Sequence, residues 1–191
     1  MSETLTPNDD ILRTFFYAGL FKPELCQRVF QEAIWDPELT RNHVDLQARY
    51  APGFENYRAK DIQVLAHEEA NQWIRVAMLR LLKTCNARHF QFEAEQLSEV
   101  QLLTLKAGEK MDWHYHVGLG PLAMRKVCLT LVLSDEKDYT GGSFHSIVGT
   151  REQPQGTAIV HASIATVCTQ TVTQGELKLL FATLDGHQPL R

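Results

Sequence analysis

Gly108-Glu-Lys-Met-Asp-Trp-His-Tyr-His-Val-Gly118 sets two histidines, His114 and His116, one residue apart. In a β-strand alternate side chains share a face, so both imidazoles look into one space. Two neutral imidazoles converging in this way make two-thirds of a facial metal site. The alternative is an ordinary histidine pair beside an aromatic residue at a strand end. The sequence just upstream has the period of a strand. Val100, Leu102, Thr104 and Lys106 alternate with Gln101, Leu103 and Leu105 before Gly108 turns the chain.

Downstream the same period continues in short runs. Arg125 to Leu133 is dense in Val, Leu and Thr, and Ser143 to Val148, Thr157 to His161, Val167 to Val172 and Leu177 to Leu184 follow. Asp135 to Gly142, Gly149 to Gly156 and the pair Gln174-Gly175 supply turns between them.

Upstream the reading is different. Met1 to Asp10 is a polar end, and Ile11 to Leu20 suits a first strand. Pro23 to Ile34 predicts a helix, with proline in the first turn and Leu25, Val29 and Ala33 at helical spacing. Trp35 to Lys60 is broken by Pro37, Pro52 and Gly53 and reads as loop. Its Arg49, Tyr50 and Tyr57 belong either to a cover over a pocket or to a surface connection. Asp61 is placed to cap a long helix reaching about Asn86, with Ile62, Leu65, Ala66, Trp73, Ala77 and Leu81 on one face. His67 beside Glu68 and Glu69 is then a solvated face, and His89 a turn residue. Helices followed by closely spaced strands predict an α+β chain: a helical layer packed on an antiparallel barrel or jelly roll. One domain over 1–191 is expected, with a helical support region at about 11–96 and a jelly-roll core at about 97–185.

Composition excludes some partners. The 191 residues are 44% hydrophobic with a formal net charge of −4 and no basic run, so nothing points to nucleic acid. Cys26, Cys85, Cys128 and Cys168 form no CxxC pair. No signal peptide and no run of about 20 apolar residues marks export or membrane insertion. A reduced, cytoplasmic protein with free buried thiols is the expectation.

Four pieces in the second half resemble the iron- and 2-oxoglutarate-dependent oxygenases, in their prolyl-hydroxylase-like branch. Val100-Gln-Leu-Leu-Thr-Leu-Lys-Ala-Gly108 leading into Asp112-Trp-His-Tyr-His116 is similar to the strand and turn before the family's His-x-Asp. Lys126-Val-Cys-Leu-Thr-Leu-Val-Leu-Ser-Asp135 is similar to the following core strand, and Asp138-Tyr-Thr-Gly-Gly142 to a Tyr-x-Gly-Gly turn. Val172-Thr-Gln-Gly175 is similar to the closing hairpin. The resemblance spans roughly residues 86–185. It implies a double-stranded β-helix, cupin-like, with N-terminal helices on one sheet. It also implies a non-haem Fe(II) oxygenase acting on a small molecule or a peptide.

The family's ligand pattern is only partly present. His114 matches the first histidine, but His116 stands where the pattern has Asp. The distal histidine position falls on Val167, or on Cys168 in a register shifted by one. The arginine that the family sets against the 2-oxoglutarate carboxylate is replaced by Leu177, with Lys178 next in sequence. A tyrosine that often helps is replaced by Leu105. If Leu177 faces the pocket, Lys178 faces outward, and 2-oxoglutarate is not expected to bind well. Arg125 and Lys126 are the other candidates for an anionic ligand. The spacing from Gly108 to His114-Tyr-His116 also resembles the first cupin signature. In that reading a third imidazole, from His161 or His145, completes a metal site that needs no 2-oxoglutarate. A catalytically silent barrel that keeps its pocket for binding or assembly is the remaining reading.

Overall fold

A computed structural model describes residues 12–51, 53–54, 61–151 and 153–189. The readings made for Met1 to Ile11, Pro52 and Tyr57 lie outside them.

Two antiparallel sheets face each other. The larger runs β1-β11-β7-β13-β5-β3-β2, and β4 and β8 also pair with β13. Its strands are β1 (Thr14–Tyr17), β2 (Trp35–Asp36), β3 (Asp61–Leu65), β4 (Gln96–Leu97), β5 (Gln101–Lys106), β7 (Arg125–Val132), β8 (Tyr139–Gly141), β11 (Ala158–Ala162) and β13 (Val172–Asp185). The smaller runs β10-β9-β12-β6, from β6 (Met111–His114), β9 (Phe144–Ser146), β10 (Gly149–Thr150) and β12 (Val167–Thr169). This is the expected α+β jelly roll. Strand alternation splits its core in two. The outer face of the large sheet, through Leu129, Leu131, Val160, Leu180 and Ala182, packs under helices α1 (Pro23–Glu32) and α3 (Gln72–Cys85). The inner face, through Cys128, Val132, Ile159, Leu177 and Phe181, meets Met111, Phe144 and Val167 of the small sheet.

Three local expectations are corrected. The long helix from Asp61 does not form as one element, because Asp61–Leu65 is strand β3, paired with β5 at Ile62↔Leu103 and Gln63↔Leu102. Apolar residues on both faces of that strand imitated a helical stripe. The chain then turns through Glu69–Asn71 before α3 begins. The fully buried Asn71 side chain holds the corner, bonding the backbone of Ile34 at 3.0 and 2.8 Å and the Ala66 carbonyl at 2.9 Å. In α3 the buried face is Ile74, Met78, Leu82 and Cys85. Trp73, Ala77 and Leu81 flank it, about 100° around the helix.

The loop expected at Trp35–Lys60 contains α2 (Pro37–Tyr50). Pro37 starts this helix instead of breaking one, as its missing N–H is one the first turn leaves unpaired anyway. Asp36 caps it, accepting the Glu38 and Leu39 amides at 2.7 and 3.0 Å. Last, Gln174-Gly175 is not a turn. Both lie inside β13 at an irregularity opposite β8, where Gly175 has φ +71°. β12 runs on into β13 in the same direction, both antiparallel to the stretch from β8 to β9.

Candidate metal centre

His114 ends β6 on the small sheet, and His116 lies two residues beyond the strand's turn inward. His161 comes from β11 on the opposite sheet. Their rings meet in the barrel mouth. The His114 and His116 centroids are 4.8 Å apart, and those of His116 and His161 are 5.3 Å apart. Backbone contacts hold the bend: the His116 amide donates to the Ser163 carbonyl at 2.8 Å, and Arg125 Nη1 donates to the His116 carbonyl at 3.2 Å. Phe181 packs against the His116 ring at 4.7 Å and Phe144 against His161 at 6.1 Å, which limits rotation of both.

Hydrogen bonds decide the tautomers. A carbonyl can only accept, so His114 Nδ1 donates to the Asp112 carbonyl at 2.6 Å and His161 Nδ1 donates to the Ala162 carbonyl at 2.9 Å. Both rings therefore keep the lone pair on Nε2. For His161, which is 0% exposed, that Nε2 has no hydrogen-bond partner among the described residues. A buried acceptor left in this state is costly unless something fills it. Burial pushes the His161 imidazole down to about 4 and His114 below its ordinary range. His116 is held well below it, by burial first and then by His114, His161 and Arg125. Neutral imidazoles are the form that binds metal.

The cavity beside them is about 40 Å³, room for an ion or a water but not for a five-carbon diacid. Arg125, 5% exposed, reaches its rim. Helix α2 covers that side with His43 and Gln47, which lie 3.3 Å apart. With its amide oxygen turned to the guanidinium, Gln47 accepts from Arg125 Nη1 at 3.2 Å and Nη2 at 2.5 Å.

The other candidates stand elsewhere. His145 lies on β9, on the opposite strand face from buried Phe144 and Ser146. Its ring nitrogens meet the Ser143 hydroxyl at 3.0 Å and the Thr150 hydroxyl at 2.6 Å, away from the imidazole cluster. Val167 is the Cα partner of His114 and points inward, so the distal histidine position holds a buried valine, while Cys168 pairs with His145. Leu177 is fully buried opposite Leu105. Lys178 points outward, 3.2 Å from Glu176 and 5.6 Å from the Phe30 ring on α1. Lys126 bonds the Gln188 carbonyl and lines a separate cleft with Phe92 and His187. The sequence reading missed His43, because its helix read as loop, and Cys128, which lies beside His161 in the sheet register.

No family model and no curated protein matches the sequence. Solved structures do. A Pseudomonas putida prolyl-4-hydroxylase superposes with a TM-score of 0.64 at 17% identity, over 95% of this chain and 97% of that one. The viral collagen prolyl hydroxylase of Paramecium bursaria Chlorella virus-1 gives 0.60 at 12%, over 92% and 96%. A Trichoplax adhaerens prolyl hydroxylase, in complex with a hypoxia-inducible-factor peptide fragment, gives 0.62 at 11%, over 93% and 84%. The chain has the double-stranded β-helix fold of the 2-oxoglutarate and iron(II) oxygenases.

On this oxygenase fold the residues fit a metal and do not fit the cosubstrate. The ligand atoms of His116, Cys128 and His161 lie within 4.8 Å of one another and could hold a metal ion, with the His114 ring 4.8 Å from that of His116. The position that the family resemblance gives to the 2-oxoglutarate anchor holds Leu177, sealed among Leu105, Tyr139 and Val172. A carboxylate there would be buried without a paired cation, at a cost of several kcal/mol. Among the described residues no helix is long and apolar enough to cross a membrane.

Proposed function

We propose that the chain is a metal-dependent oxidoreductase: a divergent non-haem, dioxygenase-like enzyme that acts on a small molecule or peptide without 2-oxoglutarate. His114, His116 and His161 hold the ion, with Fe(II) the one the fold implies. The observation that carries this reading is the His161 Nε2 lone pair, buried and unpartnered, on a ring 5.3 Å from that of His116.

Each side chain has a definable task. The Asp112 and Ala162 carbonyls keep His114 and His161 in the tautomer that presents Nε2. Phe181 and Phe144 fix ring orientation and keep water from the inner side. Leu177, Leu105 and Val167 fill the space where the family would place its cosubstrate and distal ligand. Bound iron would supply Lewis acidity and a redox-active meeting point for dioxygen and substrate, with the substrate as the source of the electrons that reduce dioxygen. Three neutral ligands leave the ion's charge uncancelled, and Arg125 adds another at the rim. This field favours an anionic or thiol-bearing substrate. A peptide remains in the proposal because the Trichoplax relative in fold holds one.

The test is calorimetric titration of the metal-loaded protein with 2-oxoglutarate, beside dioxygen consumption with candidate acids and thiols. The expected result is no measurable 2-oxoglutarate binding, and metal-dependent consumption that releases no succinate. Tight 2-oxoglutarate binding that disappears in Lys178→Ala contradicts the reading.

A further inference from the structure

One thiol faces the imidazoles. Cys128 lies on β7 as the direct Cα partner of His161 on β11, so both project from the same face of adjacent strands. The ligand atoms of His116, Cys128 and His161 all lie within 4.8 Å of one another. Cys128 and His161 are both 0% exposed. His161 Nε2 has no hydrogen-bond partner among the described residues, and the Cys128 thiol lies within 4.8 Å of a ring nitrogen of His161. The remaining cysteines are placed differently. Cys26 points to the Val132 carbonyl at 4.0 Å under α1, Cys85 neighbours Tyr17, and Cys168 lies opposite His145 on the small sheet.

We propose that Cys128 is a further ligand of this centre, which is thereby a mixed imidazole–thiolate site for a borderline or soft divalent ion. The proposal rests on the histidine reading above and deepens it. The chemistry is one of charge. The resembled family balances its ion with the carboxylate of His-x-Asp, and here that position carries the neutral His116. Asp112, the nearest acid in sequence, is spent on Lys110 at 2.6 Å on the surface. A buried dication with only neutral ligands is poorly compensated. Cys128, one strand over from His161, returns the missing negative charge. On binding, the S–H bond breaks, sulfur donates the electron pair to the ion, and one proton leaves to the buffer for each ion bound. Imidazole with thiolate selects zinc, cobalt, copper or iron over magnesium, calcium or manganese.

Cobalt(II) is the probe. Titrated into the full chain stripped of metal, it is expected to bind at one equivalent and to raise an intense sulfur-to-cobalt charge-transfer band in the near ultraviolet. Cys128→Ser should take up cobalt without that band, while Cys168→Ser keeps it. Cobalt bound by the wild type with no such band overturns the thiolate ligand and leaves the histidine centre standing. Failure to bind cobalt at all overturns both. A band lost in Cys168→Ser but kept in Cys128→Ser also overturns the assignment. If Cys128→Ser does not fold, zinc X-ray absorption on the wild type decides alone. One sulfur at about 2.3 Å supports the proposal, and a shell of only nitrogen and oxygen rejects it.

Discussion

At the scale of single residues, burial holds His43, His114, His116 and His161 toward the neutral form. His43 shows this most directly outside the proposed ligand set. It is 9% exposed, and burial with the nearby charge of Arg125 pushes it down to about 4. In the unfolded chain it titrates at its ordinary value near 6.5. Between these values the unfolded state binds the extra proton, so stability rises with pH across this window and is lost as pH falls from about 6.5 toward 4. The loss from His43 alone is about 3 kcal/mol at most. Urea midpoints of metal-free wild type and His43→Gln over pH 4–7 should show a steeper acid loss in the wild type. Parallel curves would mean that His43 is not held neutral. Residue identity was legible for His114 and His116 because they share one stretch of chain. The contribution of His161 was left open beside His145, because only pairing across sheets tells them apart.

At the scale of elements, two glycine and proline positions decide more than periodicity does. Pro37 follows the same N-terminal rule that marked Pro23, yet it was read as a breaker because the residues after it are mostly polar. α2 buries little besides His43 and Gln47, so no apolar stripe announced it. The α3 stripe was legible in spacing but not in phase, since the set beginning at Trp73 and the set beginning at Ile74 have the same period. Met78 separates the two: it is fully buried under the large sheet. Met78→Ala should cost about 2–5 kcal/mol in urea unfolding, against a much smaller effect for Ala77→Gly beyond its helix propensity. A larger effect at Ala77 would put the helix in the other phase. At Gly175 an added Cβ would come within 1.9 Å of the Asp138 carbonyl, at φ +71°. Gly175→Ala should therefore cost at least about 1–3 kcal/mol. A variant with an unchanged urea midpoint would show that β13 relaxes there freely.

At the scale of the whole molecule, the jelly roll was legible from the order of elements: helices first, then short strands with turns between them. What the order could not show is that the N-terminal region supplies β2 and β3 to the large sheet beside β1, the first strand expected within Ile11 to Leu20. Nor could it show that inner-face alternation sets Cys128 and His161 side by side. On this double-stranded β-helix fold the Val167 position on β12 carries no imidazole, and the proposed centre takes its third histidine, His161, from β11. The central claim is that this histidine binds metal. The most direct measurement is the metal content per chain, by elemental analysis, of wild type, His161→Ala and His145→Ala after dialysis against one equivalent of Fe(II) without oxygen. The account predicts about one ion per chain in the wild type and in His145→Ala, and near-complete loss in His161→Ala with the fold retained by circular dichroism. Wild-type metal content in His161→Ala would contradict it.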